Sequence, residues 1–336
     1  MEKIILGIET SCDETSAAVA VGSKDEIKIL SNVVSSQIDI HKKYGGVVPE
    51  VASRAHVEVI LPVISEALKK AKKSLKEIDE IAVTSSPGLV GSLSVGLSCA
   101  KALSFVLSKN CLFVNHLEGH IYANFIKNRN TKKKNKIEFP AIVLVVSGGH
   151  TQLLLMKKHG DYKLLGQTKD DAAGEAFDKV ARVLNLSYPG GPSIESISKL
   201  GNEDRYIFPS YGIEGRTGRD EDGFVIKILP NLDFSFSGLK TSVLYEARKK
   251  KKLTKKEKAD MAASFQKTIV DVLVKKTIWA AQRNSVKSIL LSGGVSANKR
   301  LRLLLKKEAE KEGFKFFVPD ISLSTDNKKD QFNLYR

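Results

Sequence analysis

Apolar and polar residues alternate in blocks along the chain, and the clearest example lies near its middle. The apolar run Ala141–Val146 is followed by a short polar stretch, Ser147–Gln152, and then by a second apolar run, Leu153–Met156. This pattern predicts two strands joined by a tight turn. Adjacent glycines at 148 and 149 allow backbone N–H groups to approach an anion closely. We interpret the turn as a candidate phosphate-binding element, with a plain hairpin turn as the alternative.

The same pattern opens the chain and returns near its end. Ile4–Ile8 leads through a polar stretch into the apolar run Ala17–Val21. A third turn, Ser292–Asn298, contains two adjacent glycines. It follows a strand-like run and precedes a basic helical stretch, Lys299–Glu312. A strand, glycine turn and helix in this order are a common way to present N–H groups to a nucleotide. The three turns predict a duplicated α/β fold with a nucleotide in the cleft between two lobes.

The length and one charged segment predict the domain organisation. A chain of 336 residues favours about two domains. The basic, apolar-free stretch Lys127–Lys136 is typical of a linker. We therefore expect a first lobe over 1–130, a second over 137–327, and an atypical tail over 328–336.

Composition limits the class of protein. Hydrophobic residues make up 42% of the chain, enough for a substantial core. No apolar run reaches the roughly 18 residues needed to span a membrane, and no secretory signal is recognisable. Three cysteines without CxxC spacing indicate a reducing compartment, so we expect a cytoplasmic protein. The net charge of +16 suits a polyanion such as RNA, and a lysine-rich solvated surface is the alternative.

Two histidines suggest a metal site. His116 and His120 are four residues apart, so a helix places both imidazoles on one face. That arrangement suits two ligands of one metal ion. Asp326, in a polar stretch near the C-terminus, is a candidate third ligand, and an aspartate in a simple turn is the alternative.

In three stretches the apolar residues do not recur at the spacing of a helix or a strand. Residues 202–230 are interpreted as an irregular surface excursion. Asp233–Thr241 alternates aromatic and hydroxyl residues and is open to interpretation as an edge strand or a loop. Lys249–Lys258 is interpreted as a solvated loop between helices.

Taken together, the motifs resemble those of the TsaD family of bacterial tRNA N6-adenosine threonylcarbamoyltransferases, formerly called glycoproteases or O-sialoglycoprotein endopeptidases. The matching stretches occur in family order: Gly7–Thr15, Tyr44–Glu50, Pro87–Gly91, His116–His120, Val146–Gln152, Asp170–Lys179, Tyr188–Pro192, Asp233–Thr241, Ser292–Asn298 and Thr325–Asn327. One departure is the tail after Asn327, where relatives usually continue with a small apolar helix. We interpret the tail as a truncation, with a frame error or a true variant as the alternatives.

The resemblance implies a fold and a set of site residues. The fold is the actin-like ATPase (ASKHA) fold, with two duplicated lobes and a nucleotide cleft. The metal ligands are His116, His120 and Asp326, holding one divalent ion, iron or alternatively zinc. The residues implied to bind the adenylate substrate are Val145, Val146, Ser147, Gly148, Gly149, Asp178, Gly191 and Asn298. Glu195 stands where relatives often carry an aspartate, and we expect it at a ribose hydroxyl.

The resemblance also implies a reaction and partners. The threonylcarbamoyl group of threonylcarbamoyl-AMP passes to the N6 amine of the adenosine next to the tRNA anticodon. Asp13 or Glu14 is a candidate acceptor for the amine proton. The partners implied are tRNA, a catalytically inactive paralogue (TsaB-like) and a small ATPase (TsaE-like). The alternatives are a metalloprotease, although the HExxH signature is absent, and a non-catalytic scaffold of the same fold.

Overall fold

The computed structural model describes residues 2–22, 27–126, 136–210, 216–219, 225–228 and 231–321. The chain divides into two compact units. The first consists of Met1–Lys134 with Pro319–Arg336, and the second of Asn135–Val318.

The first unit is built on a five-stranded mixed sheet of order β3-β2-β1-β4-β5. Its strands are β1 (Lys3–Glu9), β2 (Glu14–Gly22), β3 (Ile27–Ser36), β4 (Glu80–Ser86) and β5 (Asn110–Asn115). Strands β1, β2 and β3 form an antiparallel meander, and β4 and β5 run parallel to β1. The carboxyl ends of β1, β4 and β5 therefore lie side by side at one edge of the sheet.

Four α-helices accompany this sheet among the described residues: α1 (Ile38–Lys42), α2 (Pro49–Ala71), α3 (Val90–Leu107) and α4 (His116–Tyr122). Helix α2 begins with Pro49, a residue suited to a first helical turn because its missing N–H has no intrahelical partner there. Its buried positions Val59, Ile60, Val63 and Ile64 recur at helical spacing and pack on the sheet in one core.

Helix α3 is apolar on its outer face as well as its inner one. It has 18 residues and a mean hydropathy of 1.6, and only 22% of it is buried. By length and composition alone it is apolar enough to cross a membrane, although the sequence analysis found no such run. Val90, Phe105 and Val106 of α3 are exposed, as are Val57 and Leu61 of α2. An exposed apolar surface of this kind is typical of an interaction site.

The second unit repeats the strand arrangement of the first. Its strands are β6 (Ala141–Val146), β7 (Thr151–Lys158), β8 (Asp161–Gln167), β11 (Ser288–Ser292) and β12 (Lys315–Phe317), in the order β12-β11-β6-β7-β8. Again three strands form an antiparallel meander, and two run parallel to the first of them. All six residues of β6 are buried, which explains its unbroken apolar run. The duplicated α/β fold predicted from the sequence is confirmed.

The described part of the second unit also contains five α-helices: α5 (Ala173–Val183), α6 (Gly190–Ser198), α7 (Ser237–Arg248), α8 (Lys255–Arg283) and α9 (Lys299–Lys311). Helix α8 runs through the core of this unit with residues such as Phe265, Ile269 and Leu273 fully buried.

Three interpretations of the sequence differ from the structure here. The stretch 202–230 contains a short hairpin, β9 (Arg216–Arg219) paired with β10 (Val225–Ile228). Asp233–Thr241 is neither a full strand nor a loop, because α7 begins within it at Ser237. The end of the basic run belongs to α8, whose first turn is capped by the Thr254 hydroxyl and the Glu257 carboxylate.

Candidate functional site

The central hairpin turn of the second unit has an open face. The N–H of Ser147 donates to the His150 carbonyl (2.8 Å), and the N–H of His150 donates to the Ser147 hydroxyl (3.2 Å). These bonds hold the four residues between β6 and β7 in one conformation. A Cβ built on Gly148 or Gly149 would meet no atom within 4 Å. Hydrogen bonds within the turn therefore fix its conformation, and open space lies beside both glycines.

The first turn of α5 packs directly against this hairpin turn. The N–H of Gly174 donates to the Ser147 carbonyl at 3.1 Å. A Cβ at position 174 would lie 2.6 Å from that carbonyl oxygen and 2.8 Å from the Cα of Gly148. The N–H of Ala173 donates to the Thr151 hydroxyl at 2.8 Å. Only glycine at 174 allows this close approach, so the position of the hairpin turn depends on it.

The glycine turn Ser292–Asn298 lies beside the hairpin turn at 147–150, because β11 pairs with β6. Ser292 is in register with Val145, and Gly293 follows at the end of its strand. Gly293 has φ +87°, and a Cβ there would collide with the Val146 carbonyl oxygen. A Cβ on the next residue, Gly294, would meet no atom within 4 Å. Two glycine turns at the ends of adjacent parallel strands thus expose backbone in the same region, as nucleotide-binding α/β proteins do.

Asn298 and Glu195 lie at the start of α9. The Asn298 side chain caps the helix by accepting from Leu301 N–H (3.0 Å), and its amide donates to Gln266 Oε1 (2.9 Å). Glu195 of α6 accepts from Lys299 N–H at 3.3 Å. Lys299 directly follows Asn298 in the chain, so the Glu195 carboxylate and the Asn298 side chain both lie at the N-terminal end of α9.

Asp178 joins α5 to α6. Its carboxylate accepts from the N–H of Gly190 at 2.7 Å, and a Cβ on Gly190 would lie 2.5 Å from the Cα of Asp178. Gly191, next in the chain, has open space beside it. Val145 and Val146 are fully buried. Among the residues implied to bind adenylate, these two valines therefore have only backbone atoms to offer.

The equivalent turn of the first unit is acidic. It spans residues 10–13 between β1 and β2, and Glu14 is the first residue of β2. Glu14 is buried and accepts from the Ser36 hydroxyl at 3.3 Å, whereas Asp13 is half-buried. The turn packs on the start of α3: Thr10 Oγ1 donates to the Ser92 carbonyl (2.8 Å), and Leu89 N–H donates to the Ser11 carbonyl (2.8 Å).

Two buried histidines lie near this acidic turn, and one of them, His56, contacts it directly. His56 contacts the Cys12 carbonyl through Nε2 (3.0 Å) and the Thr15 hydroxyl through Nδ1 (2.7 Å). His41 accepts from Val48 N–H at Nδ1 (3.3 Å), and its Nε2 lies 3.1 Å from Gln37 Oε1. Burial lowers the pKa of both imidazoles, because it disfavours the charged form.

His116 and His120 lie side by side, as their spacing predicts. Asn115 caps α4 by accepting from Leu117 N–H at 2.9 Å. The two imidazole centroids are 4.5 Å apart with an angle of 72° between the rings. Asp326 lies outside the described residues. Within the described ranges no group of three or more His, Cys, Asp or Glu side chains could hold a metal ion. The described part of the chain thus supplies two nitrogen donors.

The sequence analysis missed Glu9, the last residue of β1. Its carboxylate lies 3.0 Å from Nδ1 of His116 and accepts from the Thr84 hydroxyl (2.6 Å) and from Ser11 N–H. Burial by itself would raise the pKa of Glu9, but the hydrogen bonds from His116, Thr84 and Ser11 outweigh it and lower the pKa to about 2. The sequence feature that could have indicated Glu9 is its place as a lone carboxylate at the end of an apolar strand.

Two five-stranded mixed sheets of the same order define an α/β protein of the actin-like ATPase fold. Solved structures of HypF share this fold. One, in its phosphate- and nucleotide-bound form, has a TM-score of 0.58 at 14% identity and covers 96% of this chain and 53% of that one. HypF of T. kodakarensis has a TM-score of 0.58 at 15% identity, covering 96% and 45%.

The chain belongs to the TsaD family, described as tRNA N6-adenosine threonylcarbamoyltransferase, whose family model matches residues 28–330. A relative of that name from Symbiobacterium thermophilum is 50% identical over 326 residues, 97% of this chain and 89% of the relative. Another, from Clostridium botulinum strain Hall, is 51% identical over 324 residues, 96% and 88% of the two chains.

Proposed function

We propose that this chain transfers the threonylcarbamoyl group of threonylcarbamoyl-AMP to the N6 amine of the adenosine 3′-adjacent to the anticodon in tRNAs that read ANN codons, and releases AMP. Membership of the TsaD family and the names of its relatives support an acyltransferase acting on tRNA. The structural observation that carries the proposal is the pair of open glycine turns at the ends of β6 and β11. No observation favours the metalloprotease or the non-catalytic scaffold.

The adenylate part of the substrate binds in the second unit. Backbone N–H groups beside Gly148 and Gly149 suit the phosphate, because successive N–H groups in a glycine turn form an anion-binding concavity. Glu195 and Asn298 at the start of α9 suit the ribose hydroxyls. The open space at Gly191 leaves room for the rest of the nucleoside.

His116 and His120, with Asp326, would hold one divalent cation, either iron or zinc. Two neighbouring imidazoles fit such an ion, since neutral imidazole nitrogen is a common ligand of both metals. When bound, the cation would supply Lewis-acid polarisation of a substrate oxygen.

The transfer step forms one bond and breaks another. The N6 amine attacks the carbamoyl carbon, the bond from that carbon to the phosphate oxygen breaks, and AMP leaves with the electron pair. The amine proton passes to a carboxylate of the acidic turn. Asp13 suits this role better than Glu14, because Glu14 is buried and hydrogen-bonded to Ser36.

The net charge of +16 suits tRNA as the acceptor substrate. The exposed apolar residues of α2 and α3 suit contact with the inactive paralogue: Val57, Leu61, Val90, Phe105 and Val106. The small ATPase completes the set of proposed partners. Phe105→Asp with Val106→Asp should abolish co-purification of the paralogue, whereas Leu303→Asp, an equally exposed apolar position on α9, should not.

The decisive experiment measures transfer of labelled threonine onto unmodified tRNA, with and without the two partner proteins. Asp13→Ala should cut transfer strongly while leaving AMP affinity nearly unchanged. Asp39→Ala, an exposed aspartate of α1 in the same unit, is the matched control and should transfer at the wild-type rate. Unchanged transfer in Asp13→Ala rules out its role as proton acceptor. Absence of transfer by the complete set of proteins rejects the proposed function.

A further inference from the structure

We propose that Glu9 is a positioning residue that holds the His116 imidazole with its proton on Nδ1 and its Nε2 lone pair available to a cation. This inference rests on the proposed function, because it concerns one of the imidazoles that would hold the metal. It assigns a role to a carboxylate that lies outside the acidic turn and outside the HxxxH motif.

The hydrogen bonds around Glu9 show that both of its oxygens act as acceptors. Oε1 accepts from the N–H of Ser11, a group that can only donate. Oε2 accepts from the hydroxyl of Thr84 at 2.6 Å. Hydrogen bonds donated to both oxygens favour the ionised carboxylate, which has no proton of its own to donate. Glu9 therefore faces its remaining neighbour as a pure acceptor.

That neighbour is Nδ1 of His116, 3.0 Å from Oε2 of Glu9 and 3.2 Å from the hydroxyl of Ser11. If Nδ1 carried a lone pair, it would face a carboxylate oxygen at hydrogen-bond distance, which is repulsive. The contact is attractive only when Nδ1 carries the proton and donates it. In the neutral imidazole the lone pair is then on Nε2, the tautomer that a metal ligand bonded through Nε2 requires.

The backbone makes this arrangement rigid. Glu9 is the last residue of β1, Thr84 lies in β4, and His116 follows directly after β5. These three parallel strands are neighbours in the sheet, so the contact joins their carboxyl ends. The ring of His120 packs edge-on against that of His116, with 4.5 Å between centroids. Fixing one imidazole therefore limits where the other can lie.

The first test needs neither metal nor activity. The full chain is labelled with ¹⁵N-histidine and freed of metal by a chelator, and its ring nitrogens are observed by NMR. The chain has six histidines, and His116→Asn identifies the signal of interest. We expect a protonated Nδ1 and an unprotonated Nε2 for His116 in the wild type. Glu9→Gln should shift the ring toward the Nε2-protonated form. A wild-type His116 protonated on Nε2 overturns the inference.

The second test measures Zn²⁺ affinity by competition with a chelator. Glu9→Gln keeps the shape of the side chain but presents one oxygen and one amide nitrogen, so it cannot accept from Ser11 and His116 on opposite sides at once. We expect its Zn²⁺ affinity to fall about 10- to 100-fold, as is usual when the partner of a ligating histidine is lost. Thr84→Val, which removes one donor to Glu9, should give a smaller loss.

Glu80→Gln is the matched control, because Glu80 lies in the same sheet and, among the described residues, its carboxylate pairs with Lys3. It should bind Zn²⁺ like the wild type. Equal affinity of Glu9→Gln and wild type, or no Zn²⁺ binding by the wild type, overturns the positioning role. If Zn²⁺ binding responds as expected but no threonine is transferred to tRNA, the proposed function fails and the role of Glu9 stands. The reverse result rejects the role of Glu9 alone.

Discussion

His56 of α2 lies 3.0 Å from the carbonyl oxygen of Cys12, in the acidic turn of the first unit. Since a carbonyl only accepts, Nε2 of His56 carries the proton. Its other nitrogen, Nδ1, is then an acceptor for the hydroxyl of Thr15 at 2.7 Å. One neutral imidazole thereby holds the chain on both sides of Asp13 and Glu14, the candidate proton acceptors.

Removing this imidazole should destabilise the first unit. His56→Leu fills similar space but leaves the Thr15 hydroxyl and the Cys12 carbonyl without a main partner in a buried site. An unsatisfied buried polar group costs about 1–3 kcal/mol, so we expect a loss of roughly 2–4 kcal/mol in the free energy of unfolding. Urea unfolding followed by circular dichroism measures it. Lys157→Gln, at an exposed position of β7, should change stability by less than about 0.5 kcal/mol.

The same histidine should make stability sensitive to acid. Burial lowers the pKa of His56 below its ordinary 6.5, although the Cys12 carbonyl and the charges of Glu9 and Asp13 partly offset this. The unfolded chain then takes up a proton at a higher pH than the folded chain. The free energy of unfolding should therefore fall as the pH drops below 6.5 toward the folded-state pKa. His56→Leu should lose part of this dependence in urea titrations across that range. An identical pH profile in the variant would contradict the prediction.

Gly174 should control nucleotide affinity from outside the binding turn. In Gly174→Ala the new Cβ would lie 2.6 Å from the Ser147 carbonyl oxygen, so the hairpin turn or α5 must move by several tenths of an ångström. We expect AMP affinity, measured by calorimetry, to fall at least about tenfold, since backbone N–H groups must be well placed to bind phosphate. Gly238→Ala adds a methyl group where no atom lies within 4 Å and should bind AMP normally. Equal AMP affinity of Gly174→Ala and wild type would show that the turn adapts.

Because of Lys276, the free energy of unfolding should increase with pH in the alkaline range. Its side chain is fully buried in α8, and its ammonium donates to the Asp233 carbonyl. Burial lowers the pKa of Lys276 from 10.5 to about 8, with a small opposing effect of Asp233. Between these values the unfolded chain holds the extra proton, so stability should increase from pH 8 toward 10.5, by up to roughly 3 kcal/mol.

Lys276→Met should remove that increase and leave a flatter pH profile in urea unfolding. Lys275→Met, at the exposed neighbour in the same helix, should keep the wild-type profile. Parallel profiles for Lys276→Met and wild type would mean that the buried ammonium does not titrate in this range.

The sequence predicted the hairpins because each had a local cause. All residues of β6 are apolar, and a polar glycine turn follows at once, so no distant contact was needed to recognise the strand pair. The HxxxH spacing likewise predicted two imidazoles on one helical face, and the ring separation of 4.5 Å confirms that geometry.

Helix α7 was not predictable in this way, because its N-terminal cap comes from far away in the chain. The carboxylate of Asp170 accepts from Phe236 N–H (2.8 Å) and from Ser237 N–H (3.3 Å). Phe234 and Phe236 are fully buried, and their alternation imitated a strand. The residues next to Ser237 in the sequence therefore do not indicate that a helix begins there.

Glu9 escaped prediction for a related reason. It lies 107 positions from His116 in the chain, and the two meet only because β4 is placed between β1 and β5. A spacing rule finds ligands that share a helix, but it does not find a carboxylate contributed by another strand.

The repeated strand arrangement has a further consequence. In each unit four residues separate the first two strands of the meander: 10–13 in one, and 147–150 in the other. One copy carries a thiol and an acid, and the other carries two glycines. The two turns, equal in length and in their place within the meander, therefore favour opposite charges: the first presents a carboxylate, and the second presents backbone N–H groups beside its glycines. Transplanting one turn into the position of the other would show how far the scaffold constrains the chemistry that it carries.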